Sequence, residues 1–523
     1  MRRINFNSDN EKWLPWVILI AIALIYLSFL TKNYYWDGIA FAQSIEDAPG
    51  INSSLLHPNH LIYNLLGYVF YRALNVFGIN IRAVTALQML NGALGAVCAF
   101  ILFLILKRAL RSIYQATALT LLFAFSATWW KFATDADSYI VSVLFLLISF
   151  YLILPGNRSR PFLGALSFSA AMLFHQLAVL FFPVAVTGLF LQSVSQDKKR
   201  FLDPLKFSLV AFAITTAAYC SSYYLITGTF DFSRFLQWTT SFSPDVSFSF
   251  DLWSNFFYTI RGHWRLFFGG RFNAIAGLVN PFIIVLMLML AASILTFIFK
   301  LIYQLLRGSV RPGFAWVGLL KRDRQLRTVL LLSAIWTFAY LAFLFVWLPH
   351  NTFYRLFYLP ALILLVGIVL ATYERAYTQP RRYCLALLVL IVALFNFLFL
   401  IYPYSHAQKY PPLAFALEMK QAWPRKTIIY YGAANSDNSL VKYFNAGTNW
   451  KQLQLEKAEQ LEQDLQTARA EGVNTWLETS AIDQLAASAT GSEWLKRHIR
   501  AESQRALTTK AHNIRFVQVG PAD

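Results

Sequence analysis

Charge is what this chain has least of. Of its 523 residues, 14% are Asp, Glu, Lys or Arg, where a soluble globular domain carries about 25%. The deficit is uneven. Residues 1–408 are a succession of apolar runs, each of about 20 residues and long enough to cross a bilayer as a helix. Residues 409–523 have an ordinary soluble composition. Acids are scarcest in the first part, which holds 31 Lys and Arg against 14 Asp and Glu, while the tail holds 14 against 12. The net charge of +19 therefore belongs to the membrane part, where the bias of Lys and Arg towards cytoplasmic loops accounts for it. No basic cluster marks the tail, which excludes nucleic acid as a partner. Cysteine is also rare. Cys98, Cys220 and Cys384 lie in apolar runs with no CxxC pair and no His at ligand spacing, which excludes a zinc site or disulfide framework built on them.

The runs themselves give a threading. The basic segment from Met1 to Lys12 precedes an apolar run from Trp13 to Leu30, too long for a signal-peptide core. Ala40-Phe41-Ala42 only loosely resembles a cleavage site, so the run reads as an uncleaved first span. About eleven spans are expected, near 13–31, 82–106, 113–130, 139–154, 161–174, 177–194, 205–226, 273–299, 328–348, 356–372 and 384–402. The basic clusters at Lys107-Arg108-Arg111, Arg158-Arg160, Lys198-Lys199-Arg200, Lys300 to Arg327 and Arg375-Arg381-Arg382 then all face the cytoplasm with the N-terminus, and the tail lies outside. The outward loops are 32–81, 129–138, the junction at His175, 227–272 and 349–355. An amphipathic segment from His60 to Phe77 is expected to lie in the bilayer interface. The tail, with strand-like runs at 427–432, 474–478 and 514–519 and a helix-like run at 453–469, reads as a small α/β domain with a parallel sheet. Gly432 ahead of Asn435-Ser436-Asp437 is either a strand-to-helix turn with an Asx cap or a ligand loop. The expected division is 1–402 and 403–523, and the fold class is mostly α: a polytopic membrane helical bundle with a small extracytoplasmic α/β domain.

Ionisable groups at a membrane edge are costly and mark functional candidates. Asp37 follows Tyr34-Tyr35-Trp36, an aromatic belt that sets it at the outer interface. It suits a general base or the N-cap of a following helix. Glu46 and Asp47 read as solvated loop acids. In His57-Pro58-Asn59-His60 the proline fixes a turn and starts a helix, so the two imidazoles could touch a phosphate or a metal, or be satisfied by backbone. A metal would need a third ligand. Asp135 and Asp137 stand in a short outer loop with Lys131. Close carboxylates push one pKa up or recruit a cation, and one of the pair is expected to cap the helix starting at Tyr139. His175 sits between two apolar runs. Arg261, His263, Arg265 and Arg271 break the rule that outer loops are poor in Arg, and His350 and Arg355 extend the set. Guanidinium forks match phosphate, from a donor or from lipid headgroups.

These features together resemble the GT-C superfamily of integral membrane glycosyltransferases. The nearest likeness is to the bacterial branch of polyprenyl-phosphate-dependent mannosyltransferases and aminoarabinose transferases. The matching residues are Asp37 in the first outer loop, the turn of His57, Pro58, Leu61 and Tyr63 leading into an interfacial helix, and the acidic loop with Asp135 and Asp137. About eleven spans and an outer C-terminal domain complete the likeness. The resemblance implies an enzyme of the bacterial inner membrane that moves a sugar, with inversion, from a polyprenyl-phosphate-linked donor to a lipid, glycan or protein acceptor. It implies Asp37 as base on the acceptor, with Asp135 and Asp137 as further catalytic candidates. His57, by that resemblance, would touch the donor phosphate, and His60, Arg261, His263, Arg265 and Arg355 are candidates for the same task. Lys131, Tyr63 and His175 are candidates for substrate binding. Trp36-Asp37-Gly38 departs from the paired acids of some branches, which weakens the case for a divalent cation and favours a reaction without cofactor. A lipid-linked glycan ligase or polymerase and a multi-span transporter are the competing readings. A transporter would call for an inverted repeat and broken spans at matched positions, and neither is evident.

Overall fold

The computed structural model describes residues 10–154, 160–195, 201–240, 248–306, 323–376, 382–423, 427–432, 439–445, 448–453, 458–508 and 513–520. Asn435-Ser436-Asp437, the Lys198-Lys199-Arg200 cluster, Arg158, Arg381 and residues 307–322 of the basic segment from Lys300 to Arg327 lie outside them. The chain divides into two compact units, 1–405 and 406–523.

The first unit is a helical bundle. Its helices are α1 (Asn10–Ser28), α2 (Trp36–Asp47), α3 (Tyr63–Val76), α4 (Ala83–Leu110), α5 (Ile113–Ala124), α6 (Ala127–Ala133), α7 (Tyr139–Ile153), α8 (Pro161–Phe174), α9 (Phe182–Ser195), α10 (Leu202–Thr227), α11 (Phe232–Thr240), α12 (Leu252–Phe267) and α13 (Pro281–Leu306), followed by Arg324–Trp347, Leu359–Ala376 and Arg382–Asn396. Among the described residues six helices are long and apolar enough to cross a membrane, and five shorter apolar helices, α1, α5, α7, α8 and Leu359–Thr372, occupy the remaining expected positions.

The boundaries differ from expectation where backbone chemistry intervenes. The run at 113–130 is broken: α5 ends at Ala124 and a separate α6 starts at Ala127. The run from 273 begins as a 3-10 turn, Phe272–Ile275, and its helix starts at Pro281, where the missing N–H costs nothing. The last span passes into a π-turn at Phe397–Ile401. Asn396, just before it, donates to the carbonyls of Phe125 (2.8 Å) and Phe267 (2.7 Å) and accepts from the Gly269 amide (3.0 Å). One buried amide thus ties three segments together at the point where the α-helical ladder is interrupted. The expected amphipathic run from His60 splits into a 3-10 turn, Pro58–His60, and α3.

α4 is the axis of the unit. It packs against α1, α5 and α7 and carries the short helices α2 and α3 on its first turns. Most of its residues are buried, among them Ala96, Cys98, Ala99, Leu102 and Phe103, each fully so.

The second unit holds a five-stranded sheet, β1 (Thr427–Tyr431), β2 (Thr448–Gln452), β3 (Asn474–Glu478), β4 (Ile499–Thr508) and β5 (Asn513–Val519), in the order β2-β1-β3-β5-β4. β1 pairs parallel with β2 and β3, while β5 runs antiparallel to both β3 and β4. The expected all-parallel sheet is therefore mixed. β2 and β4 are polar strands, Thr-Asn-Trp-Lys-Gln and Ile-Arg-Ala-Glu-Ser-Gln-Arg-Ala-Leu-Thr, at the two edges of the sheet. Polarity hides an edge strand from hydrophobic patterning.

Candidate active site

Asp37 does not cap α2. The helix begins one residue earlier, at Trp36, with Tyr35 in the cap position and no side-chain cap bond. Asp37 lies in the first turn, where the helix dipole favours a carboxylate. The next residue explains how close it comes to the acidic loop. A Cβ on Gly38 would meet the carbonyl oxygen of Ala136, well inside van der Waals contact, and would lie 3.1 Å from the Ala136 Cβ. Only glycine lets α2 lie directly on residues 135–137. The far end of α2 is clamped by Glu46, which takes a bidentate bond from Arg82 (Nε to Oε1 2.8 Å, Nη2 to Oε2 2.7 Å) and accepts the Ala83 amide (2.8 Å) at the start of α4. Glu46 is thus a structural ion-pair partner and helix cap rather than a solvated loop acid.

The loop from Thr134 to Ser138 is held by two polar residues one turn apart on α4. Gln88 donates to the carbonyls of Thr31 (2.7 Å) and Thr134 (2.9 Å). Asn91 donates to the carbonyls of Asp135 (2.8 Å) and Asp137 (2.7 Å). Neither Asp caps α7: its cap position is Ser138, without a side-chain bond. Asp135 folds back to accept the Tyr35 amide (3.0 Å) and the Ala136 amide (2.9 Å). Asp137 accepts the Ser138 amide through Oδ1 (2.7 Å), and its Oδ2 is buried with no partner among the described residues. Asp135 and Asp137 are 0% and 1% exposed.

Burial therefore dominates the electrostatics of all three acids. It pushes Asp37 up to about 7. It pushes Asp135 up to about 6, against the opposing pull of Lys131 and two backbone amides. Asp137 is raised by burial first and then by the neighbouring charges of Asp37 and Asp135. Tyrosines surround the group. Tyr354, from the 3-10 turn Phe353–Phe357, is raised to about 12 by burial and by Asp137 and Asp37. Tyr63 is raised by burial and by Asp137. The structure thus brings Asp37, Asp135, Asp137, Tyr63 and Lys131 into one neighbourhood.

The histidines border it. The His57 and His60 rings stack 4.1 Å apart, and His60 meets the edge of Phe41, on α2, at 4.5 Å. Their turn is pinned through the Pro58 carbonyl, which accepts from Gln176 (2.9 Å) and from the Tyr219 hydroxyl (2.8 Å). His175 accepts the Leu177 amide through Nδ1 (3.1 Å) and packs 5.2 Å from Tyr139 and 5.7 Å from Tyr354. Burial lowers His57 to about 4 and His175 to about 3, and lowers His60 as well.

The arginines divide. Arg261 and Arg265 are exposed on α12, among the exposed aromatics Trp253, Phe257 and Trp264. Arg355 is fully buried. It donates to the carbonyls of Asn351 (2.9 Å) and Pro349 (2.6 Å) and to the Tyr358 hydroxyl (2.7 Å), which in turn meets His263 Nε2 at 3.1 Å. Gly262 makes room for it: a Cβ there would lie 2.5 Å from Arg355 Nε. Arg355 and His263 thus brace the turn that carries Tyr354. Lys131 is half-buried, with Nζ 5.2 Å from the Phe132 ring, and lines a narrow crevice with Phe29, Thr31, Thr134, Ile401 and Tyr404.

Gln88, Asn91, Tyr139 and Tyr354 belong to this site and are not picked out by sequence motifs. Two amide side chains at i and i+3 in an otherwise apolar span are the signal that could have identified Gln88 and Asn91. Among the described residues no three of His, Cys, Asp and Glu converge as a metal-binding group.

No protein-family model matches the chain, and no curated protein matches it. Solved structures do. The crystal structure of ArnT from Cupriavidus metallidurans in the apo state superposes with a TM-score of 0.57 at 12% identity, covering 98% of this chain and 98% of that one. The same protein bound to undecaprenyl phosphate gives a TM-score of 0.52 at 12% identity, over 97% of this chain and 98% of that one. The likeness is one of fold and extends across both units. The bundle of apolar helices with a small α/β unit, expected from the sequence, is the architecture observed, and it is the fold of the ArnT structures.

Proposed function

We propose that this chain is an integral membrane glycosyltransferase of GT-C type that moves a sugar from a polyprenyl-phosphate carrier to an extracytoplasmic acceptor, with Asp37 as the general base. One observation carries the reading. A half-buried carboxyl near pKa 7 sits at a helix start against two further buried acids, in a chain with the ArnT fold. A base works best when its pKa lies near the operating pH. ArnT was crystallised with undecaprenyl phosphate, which supports a polyprenyl phosphate as the carrier here.

In the reaction, the acceptor hydroxyl oxygen bonds to the anomeric carbon as the bond from that carbon to the carrier phosphate breaks. Asp37 takes the hydroxyl proton, and the phosphate leaves with the electron pair. Displacement from the opposite face inverts the anomeric centre and needs no enzyme nucleophile. Lys131, Arg261 and Arg265 are the cations that could stabilise the phosphate as charge develops. Arg355, committed to two carbonyls and a phenol, acts by positioning. The distribution of Lys and Arg supports a cytoplasmic N-terminus in a bacterial inner membrane, with residues 406–523 outside.

The test compares wild type with Asp37→Asn in detergent, following release of polyprenyl phosphate from a polyprenyl-phosphate-sugar pool, once thermal unfolding shows both folded. A loss of about 10² to 10⁴ in turnover with donor binding retained is expected. Full activity in Asp37→Asn removes Asp37 as base and moves the role to Asp135 or Asp137. Donor inactivity of the wild type with every carrier removes the transferase.

A further inference from the structure

The histidine side of the site holds polar atoms that the bundle does not satisfy. His60 Nε2, His175 Nε2, Asn64 Oδ1 and Asp137 Oδ2 are buried with no hydrogen-bond partner among the described residues. None of these residues is more than 5% exposed. Folded proteins pair the large majority of their buried side-chain polar atoms, and an unpaired one forfeits its hydration without return, so four in one region call for an explanation. They are joined by aromatic rings. Phe41 stands 4.5 Å from His60 and 5.2 Å from Tyr63. Tyr139 stands 5.2 Å from His175 and follows Asp137 by two residues. Phe41 is also one helical turn from Asp37, on the same face of α2. The unpaired atoms therefore border the proposed base.

Resting on the transferase reading above, we propose that His60 and His175 hydrogen-bond the hydroxyls of the transferred sugar, and that the site selects an uncharged sugar over an acidic one. An uncharged imidazole offers one donor and one acceptor, the Asn64 oxygen accepts, and the buried Asp137 carboxyl can accept or, when protonated, donate. That set suits the O–H groups of a sugar, which donate and accept. The Phe41, Tyr63 and Tyr139 rings supply apolar faces for its C–H groups. Asp135, whose charge is favoured by Lys131 and two backbone amides, and Asp37, when ionised, oppose a sugar carboxylate.

The experiment measures binding of three probes to the full-length protein in detergent: bare polyprenyl monophosphate, the same carrier bearing a hexose, and the carrier bearing a hexuronic acid. Wild type is compared with His60→Phe and His175→Phe, which keep the ring packing, and with His60→Gln and His175→Gln, which keep a donor and an acceptor. The wild type is expected to bind the hexosyl carrier at least about tenfold more tightly than the hexuronosyl one, and each Phe variant to weaken hexosyl binding about tenfold with bare-carrier binding unchanged. The Gln variants should retain most of the affinity. Phe variants with full hexosyl affinity overturn the histidine assignment. Equal wild-type affinity for the two sugar carriers overturns the selectivity, and that comparison requires no variant to fold. Failure of wild type to bind even the bare carrier removes the transferase reading, and this inference with it.

Discussion

Replacing Gly38 by alanine adds one methyl group and places it against backbone. The new Cβ would fall on the Ala136 carbonyl oxygen, 3.1 Å from the Ala136 Cβ and 3.3 Å from its carbonyl carbon. Non-bonded atoms rest at about 3.5–4.0 Å, so α2 and the 135–137 loop must part by roughly 1 Å. The loop cannot yield freely, because Asn91 holds the Asp135 and Asp137 carbonyls and Gln88 holds that of Thr134. α2 is restrained at its other end by the Glu46–Arg82 pair. Overpacking of this kind costs about 1–3 kcal/mol. A displacement near 1 Å at a reacting group can cost about 10² in rate. Gly38→Ala is therefore expected to lower kcat at saturating donor by about 10²-fold and to lower the thermal midpoint. Gly50→Ala is the control, since a Cβ there meets nothing within 4 Å, and it should match wild type in both measurements. Wild-type kcat and stability in Gly38→Ala would refute the close approach of α2 to the acidic loop, and with it the placement of Asp37.

The pH dependence follows from the direction of the Asp37 shift. With the carboxyl near 7, kcat/KM should rise about tenfold per pH unit below that value and level off above it. The folded protein holds this proton where the unfolded chain, with a pKa of about 3.9, has released it. Asp37 therefore makes stability fall as pH rises from about 4 towards 7, and unfolding midpoints of Asp37→Asn should fall less over that window. Asn91→Leu strips the donor from two buried carbonyls and is expected to destabilise by about 2–4 kcal/mol, read by denaturation, with turnover lost beyond the loss of folded protein. Arg355→Lys cannot span both carbonyls and the Tyr358 hydroxyl. It should lower stability by about 1–3 kcal/mol for each partner left unsatisfied and reduce kcat through the Tyr354 turn, while leaving bare-carrier affinity within twofold.

The local chemistry of the site was legible where it depends on neighbours in sequence. Asp37, the His57-Pro58 turn and the Asp135/Asp137 loop were each identifiable from short runs of residues. Their roles were not. Capping and catalysis use the same residue types, and the structure removes only the capping reading: α2 begins at Trp36 and α7 has Ser138, not an Asp, in its cap position. Arg355 shows the opposite difficulty. Its setting after Pro349 resembles that of an exposed loop cation, and its burial depends on Gly262, far away in the chain.

What the sequence determined by itself is periodic or compositional: the apolar runs that become the helices of the bundle, the charge asymmetry between its loops, the ordinary composition of the tail, and the β-rich runs of β1, β3 and β5. Such patterns are local, so a linear reading captures them. Only the tertiary structure decided what meets. The Tyr35 amide bonds to Asp135 from 100 residues away, Gln88 and Asn91 reach across to the same loop, and Gly38 lets α2 settle on it. The polar edge strands β2 and β4 found their places by pairing with β1 and β5. Convergence of distant segments is a property of packing, in which one missing Cβ or one buried amide sets the fit, and no local pattern records which partner it serves.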